Sequence, residues 1–262
     1  MRALFANKMH VIFLALGALL VFFLAWPLFK TVTASSPALL WETLLEVEVR
    51  NAILRTFYAS FLATTIAFVL GVPLAYMLAR TEFPGQELVQ GLIDLPIVVP
   101  HSAAGIALLM VFGRRMWLGR LFERVGIRFV SNFPGIVIAM LFVSLSFLVN
   151  AAREGFEAVD PRLERVARTL GASPWQAFWR VSFPLAWHSI LSGLILMWAR
   201  GLSEFGAVVI LVYHPMVAPV LIYERFESFG LDYARPVAAL LILICLAVFV
   251  LLRLTARKRG VV

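Results

Sequence analysis

Residues Met9–Phe29 contain no Asp, Glu, Lys or Arg, and a run of that length is about what a helix needs to cross roughly 30 Å of hydrocarbon at about 1.5 Å per residue. Uncharged windows recur at Thr56–Ala79, Leu95–Gly113, Phe129–Ala152, Val181–Ala199, Phe205–Tyr223 and Pro236–Leu252. Each is long enough to span a bilayer, or nearly so. Across 262 residues, 62% are hydrophobic and 15% charged, whereas soluble domains average about 45–50% apolar and about 25% charged. A chain of this size has too little interior to hide that surplus from water. The sequence therefore predicts an all-α integral membrane protein and excludes a disordered chain, a collagen repeat and a disulfide scaffold.

The fifth and sixth windows are separated only by Arg200-Gly-Leu-Ser-Glu204, too short to turn between two full spans. Pro184 and Pro215 bracket the pair. They read as one helix from about Trp187 to Tyr213 that carries Arg200 and Glu204 at membrane depth. The expectation is a single polytopic domain over 1–262 with six transmembrane helices at about 9–31, 54–80, 90–112, 134–152, 187–213 and 236–253. Arg2, Lys8 and Val32-Thr-Ala34 give the first span the look of a signal peptide. Its apolar core exceeds the roughly 7–15 residues of a signal h-region, so it is expected to be retained. Pro27, Pro73, Pro96, Pro100 and Pro134 fall in or beside spans, where kinks or entry turns are the default.

Six spans place both termini on one side. Arg2 and Lys8 at one end and Arg253, Arg257, Lys258 and Arg259 at the other assign that side to the cytoplasm, together with the Arg-rich loop 153–186. The loop Gly113–Phe133 disagrees, because Arg114, Arg115, Arg120, Arg124 and Arg128 would then lie outside. Two readings of it stand: attraction of an anion or of an acidic protein surface, and contact with anionic headgroups. The net charge of +8 is thus a topology signal; no basic stripe with interleaved aromatics points to nucleic acid.

The loop 153–186 carries more signals than any other segment. Asp160-Pro161 is an N-cap and N1 pair, Gly171 suits the left-handed residue after a helix end, and Ser173-Pro174 repeats the start signal. Two short helices follow. Leu163, Val166, Ala167 and Leu170 share one face of the first, and the second presents Trp175, Phe178 and Trp179. So much apolar surface in a polar compartment needs a cover, either the membrane interface or a protein.

The spacing of this loop resembles the EAA loop of ABC importer permeases: Glu-Ala-Ala, three residues, Gly, nine residues, Ile, one residue, Leu-Pro. Ala167, Gly171 and Pro184 stand in register, Val181 and Phe183 are apolar substitutes, and Ala172-Ser173-Pro174 is also family-like. Arg165 and Val166 occupy the first two positions, and the acidic residue stands one earlier as Glu164. Leu95-Pro-Ile-Val-Val-Pro-His-Ser-Ala-Ala-Gly-Ile-Ala-Leu-Leu109 resembles the Leu-Pro-rich segment of the molybdate and sulfate branch. Ser203-Glu-Phe-Gly-Ala207, continuing through Tyr213-His-Pro-Met-Val-Ala-Pro to Leu221-Ile-Tyr-Glu-Arg225, is similar to the molybdate/tungstate type.

The resemblance implies a type I ABC importer permease fold with a two-helix cytoplasmic coupling loop. Glu164, Ala167, Arg168, Gly171, Ala172, Ser173, Trp175 and Pro184 would lie in that loop. It further implies a second copy of the chain, two ATPase subunits that bind ATP and Mg, and an extracytoplasmic oxyanion-binding protein. None of Lys8, Lys30 and Lys258 follows a glycine, so this chain has no P-loop and no cofactor of its own is expected.

Arg200 and Glu204 are four residues apart and can pair on one helix face. Ionisable residues at membrane depth are functional candidates by default. A structural ion pair is the plainer alternative to substrate contact. Pro100, Ser102, Arg200, Ser203 and Glu204 are the candidates for a translocation pathway or gate. His10, His101, His188 and His214 are dispersed without ligand spacing, so no metal site is expected. Cys245 lies in an apolar run as a small buried thiol. An intramembrane protease is disfavoured by the absence of Gly-x-Ser-Gly, and a secondary transporter by the absence of an evident internal repeat.

Overall fold

The computed structural model describes residues 8–258, and these are helical with no strand among them. In chain order the helices are α1 (Lys8–Thr33), α2 (Pro37–Leu45), α3 (Val47–Arg80), α4 (Gln86–Val98), α5 (His101–Phe112), α6 (Trp117–Glu123), α7 (Phe133–Glu157), α8 (Pro161–Thr169), α9 (Pro174–Ala177), α10 (Phe183–Leu202), α11 (Gly206–Leu211), α12 (Ala218–Phe229) and α13 (Leu231–Lys258). Among the described residues five helical runs are long and apolar enough to cross a membrane, and α4 with α5, bent by 119° at Val99-Pro100, makes a sixth if counted as one broken span. Arg2 and Arg259, used above for topology, lie outside the described residues.

The chain divides into two compact units, Met1–Asn51 with Leu221–Val262, and Ala52–Val220. In the first, α1 and α2 pack on α13. Every side chain of α1 from Met9 to Lys30 is exposed, including Leu14, Leu19 and Phe23, as expected of a helix apolar all round and bathed in lipid. Arg225 of α12 bonds the carboxylate of Glu46 and lies 3.5 Å from that of Glu48.

The second unit is built on α7, whose buried face contributes Ile136, Met140, Val143, Leu148, Val149 and Phe156. Glycines set its closest contacts. A methyl on Gly193 of α10 would lie 2.8 Å from Ala151 Cβ and 3.2 Å from Leu148 Cα, and one on Gly155 would lie 2.6 Å from Ser189 Cβ. Small residues bring helices into van der Waals contact where lipid offers no hydrophobic driving force. Hydroxyls close the remaining polar gaps. Ser60 Oγ donates to Trp198 O at 2.7 Å, and Thr56 Oγ1 accepts from Ala218 N at 2.8 Å.

Two sequence expectations change. The helix expected over 187–213 starts earlier and stops sooner: one helical run extends from Pro174 to Leu202, breaks at Ser203–Phe205, and resumes only as the short α11. Pro184 does not end that run. Its missing N–H is absorbed by a π-turn at Phe178–Ser182, where Phe183 N bonds back to Phe178 O. The break at 203 has a side-chain cause: Ser203 Oγ turns back to Arg200 O at 3.0 Å, and Glu204 Oε1 takes the N–H of Ala207 at 2.8 Å. The span expected over 90–112 is likewise two helices, because Pro100 has no N–H to continue α4.

Candidate functional site

The loop 153–186 folds as its punctuation requires. Asp160 Oδ1 accepts from Arg162 N at 2.8 Å to cap α8. Gly171 holds φ +92°, a left-handed conformation that disfavours a Cβ. Ser173 and Gln176 form a reciprocal capping box that starts α9. Ala167 and Ala172 are half-buried, and Arg168, Ser173 and Pro184 are exposed. Leu163, Val166 and Leu170 on α8 remain uncovered, Leu170 at 83% exposure, as does Trp175 at 68%. Phe178 turns inward instead and packs on Tyr76 and Phe156.

Glu164 anchors this element. Its Oε1 accepts from Arg80 Nε at 2.7 Å and from Ser182 Oγ at 2.6 Å, and its Oε2 accepts from Tyr76 Oη at 2.8 Å. Arg80 also donates to Val159 O at 2.9 Å. Burial raises the carboxyl pKa, but the hydrogen bonds from Ser182, Arg80 and Tyr76 and the Arg80 charge outweigh it, so Glu164 stays below the ordinary carboxylate value. The ends of α3 and the start of the α9–α10 run are thereby tied to α8. That contact brings the end of α3, and the turn that follows it, against α8.

A second cluster forms where two membrane helices break. His101 opens α5 at the α4–α5 elbow, and Arg200 and Glu204 flank the end of α10. Glu204 is fully buried. His101 Nδ1 lies 2.7 Å from Glu204 Oε2, and Arg200 Nη2 lies 3.1 Å from the same oxygen and 2.7 Å from each ring nitrogen of His101. With Nδ1–H donating to the carboxylate, the lone pair open to Arg200 is on Nε2. Arg200 Nη1 also donates to Ser203 Oγ at 3.2 Å. Leaving a buried carboxylate without partners costs several kcal/mol, so the three side chains hold one another in place. His101, Arg200 and Ser203 keep exposed edges.

The backbones meet closely here. A methyl on Gly206 would stand 2.7 Å from His101 Cβ, and one on Gly105 would stand 2.8 Å from Ile210 Cβ. α5 and α11 are thus joined through glycine at the cluster. Pro100 forms the elbow beside it, and Ser102 is exposed in the first turn of α5. Arg200 and Glu204 pair as their spacing suggests, but across a helix end and not along one helix face. Among the described residues no group of His, Cys, Asp and Glu is arranged to hold a metal ion.

Residues 71–260 match the family described as the binding-protein-dependent transport system inner membrane component. The chain belongs to this family. As a binding-protein-dependent transport component it is a multi-pass membrane protein and an ABC importer permease. It is 45% identical over 252 residues, 95% of this chain and 97% of the relative, to the molybdate/tungstate transport system permease protein WtpB of Thermococcus kodakarensis. It is 34% identical, over 88% of this chain and 83% of the relative, to a probable sulfate transport system permease protein of Chlorokybus atmophyticus. The fold matches a solved bacterial alginate ABC transporter in complex with alginate pentasaccharide-bound periplasmic protein, with a TM-score of 0.75, 17% identity and coverage of 95% of this chain and 94% of that one.

Sequence reasoning about this permease family member missed His101, which lacks any ligand spacing. Its only sequence signal is its place directly after Pro100 at a span entry. Arg80, Tyr76 and Ser182 were missed for a similar reason: their shared partner Glu164 is 84, 88 and 18 residues away.

Proposed function

We propose that the chain is the membrane-spanning permease subunit of an ATP-driven importer for a tetrahedral oxyanion of the molybdate and tungstate type. It works as a pair of identical subunits with two ATPase subunits, which bind ATP and Mg, and with an extracytoplasmic oxyanion-binding protein. Both termini lie in the cytoplasm. The 45% identity to a molybdate/tungstate permease over nearly the whole chain supports the substrate class, and the uncovered apolar face of α8 and α9 supports an ATPase docked there.

The observation that carries the pathway reading is the His101, Arg200 and Glu204 cluster at two helix breaks. An oxyanion leaving water needs hydrogen-bond donors, and the exposed edge of Arg200, whose guanidinium keeps N–H groups not used on Glu204, His101 or Ser203, supplies them. Glu204 takes up part of the Arg200 charge, so a dianion is met by donors without being trapped by a free cation. Docking and pathway share one rigid element. The helical run from Pro174 carries any displacement of the docking loop to Arg200, while Glu164 makes α3 move with it.

Reconstitution in proteoliposomes with the ATPase and the binding protein tests this. ATP-dependent molybdate uptake is expected to fall by about tenfold or more when Ser203→Ala and Glu204→Gln are combined. Unchanged uptake rejects the pathway assignment, and uptake driven by an ion gradient without ATP rejects the importer class. The likeness to a sulfate permease keeps sulfate as the second reading; the oxyanion that the binding protein retains decides between them.

A further inference from the structure

The stretch Pro161–Ser182 carries four arginines, Arg162, Arg165, Arg168 and Arg180, and a single carboxylate, Glu164. All four arginines are exposed. The carboxylate is not available to a partner, since Arg80, Ser182 and Tyr76 occupy it from inside the protein. What the element presents outward is therefore an apolar stripe, Leu163, Val166 and Leu170, flanked by an excess of positive charge, with the one exposed carboxylate of α8 at its N-cap, Asp160. A cleft lined by Ala167, Leu170, Gly171, Ala172, Gln176, Arg180 and Val181 opens beside it, with room for a partner side chain and an arginine at its wall.

We infer that the partner seated on α8 and α9 is a protein whose groove has an apolar floor and a rim of carboxylates, and that the arginines Arg162, Arg165 and Arg168 select it by charge. Complementary charge at the rim of an interface steers encounter and rejects wrong partners, while apolar burial at its centre supplies most of the affinity. Arg165 stands where the EAA pattern has its glutamate, so this chain presents a cation at that position. An ATPase subunit whose groove is basic at the facing positions would be repelled. The inference rests on the reading of this loop as the ATPase-docking element, and adds the chemistry that the ATPase surface must have.

The test uses the full-length chain in nanodiscs of purely zwitterionic lipid, with the ATPase subunit that co-purifies with it as the probe. Affinity is measured for wild type, for the combined Arg162→Glu, Arg165→Glu and Arg168→Glu variant, and for the combined Leu170→Ala and Trp175→Ala variant. The thermal unfolding midpoint of each variant is recorded, and the combined Arg→Gln variant replaces any charge-reversed protein that does not fold. The expected result is a loss of about tenfold or more on charge reversal, and wild-type affinity that falls as salt is raised from about 0.05 M to about 0.5 M. Both effects should reappear in the opposite sense when the partner's rim carboxylates are changed to lysine. Affinity insensitive to both salt and charge, with binding still lost in the Leu170 and Trp175 variant, overturns the acidic-rim inference and leaves the docking reading standing. Affinity unmoved by either set of substitutions overturns both. A charge effect seen only when anionic lipid is added assigns the arginines to headgroups and also overturns the inference.

Discussion

Arg80 Nε lies 2.7 Å from Glu164 Oε1, joining the last turn of the long apolar helix α3 to the first turn of α8. The two residues are 84 positions apart, and the bond is shielded, with side-chain exposures of 10% and 14%. It fixes the orientation of α8, and with it the outward face of Leu163, Val166 and Leu170.

Glu164→Ala should release α8 from α3. Removing one partner of a shielded, hydrogen-bonded ion pair costs about 3 kcal/mol, and here the loss is local. Hydrogen exchange of residues 161–182 should accelerate strongly while the amides of α7 keep their protection. Uniform acceleration across both segments would contradict a local anchor.

The same carboxylate sets a pH dependence. Because its folded pKa is lower than the ordinary 4.5, its stabilising contribution is fully present above that value and is lost as pH falls through the depressed folded value. Protection of residues 161–182 should therefore hold level above about pH 5 and decline in acid. Glu164→Gln should flatten that decline, and a wild-type profile already flat in acid would refute the assignment.

Gly206→Ala should disrupt the helix-break cluster without adding any polar group. Its methyl would stand 2.7 Å from His101 Cβ, and relieving such an overlap costs about 1–3 kcal/mol. Gly17→Ala, where nothing lies within 4 Å, is the matched control and should leave the unfolding midpoint unchanged. A lower midpoint for Gly206→Ala with an unchanged control, and reduced uptake, is the expected pattern.

His101 and Glu204 should be coupled. A double-mutant cycle of His101→Ala and Glu204→Ala, read by thermal unfolding in detergent, is expected to give an interaction energy of about 1 kcal/mol or more. Additive effects would mean that the 2.7 Å contact between them carries no energy.

Leu170→Ala should separate docking from packing. Leu170 is 83% exposed, so its truncation should change the stability of the isolated chain by no more than about 0.5 kcal/mol. ATP-dependent uptake should nevertheless fall. A destabilised isolated chain would place the residue in the protein's own core.

The sequence by itself determined what length and local chemistry dictate. Uncharged windows of sufficient length mark where long apolar helices run, since a backbone in lipid must satisfy its hydrogen bonds within the helix. Asp160-Pro161, Gly171 and Ser173-Pro174 mark the ends of α8 and α9, because caps and left-handed turns depend on adjacent residues only. The tertiary structure decided where those helices break and what their polar residues meet. An uncharged window reads the same whether its helix runs on or stops, and only the return of Ser203 to Arg200 and of Glu204 to Ala207 ends α10. The partners Tyr76 and Arg80 of Glu164, and His101 at Glu204, come from helices that pack against these residues only in the fold. No periodicity in the chain could have brought Arg80 to one carboxylate or His101 to the other.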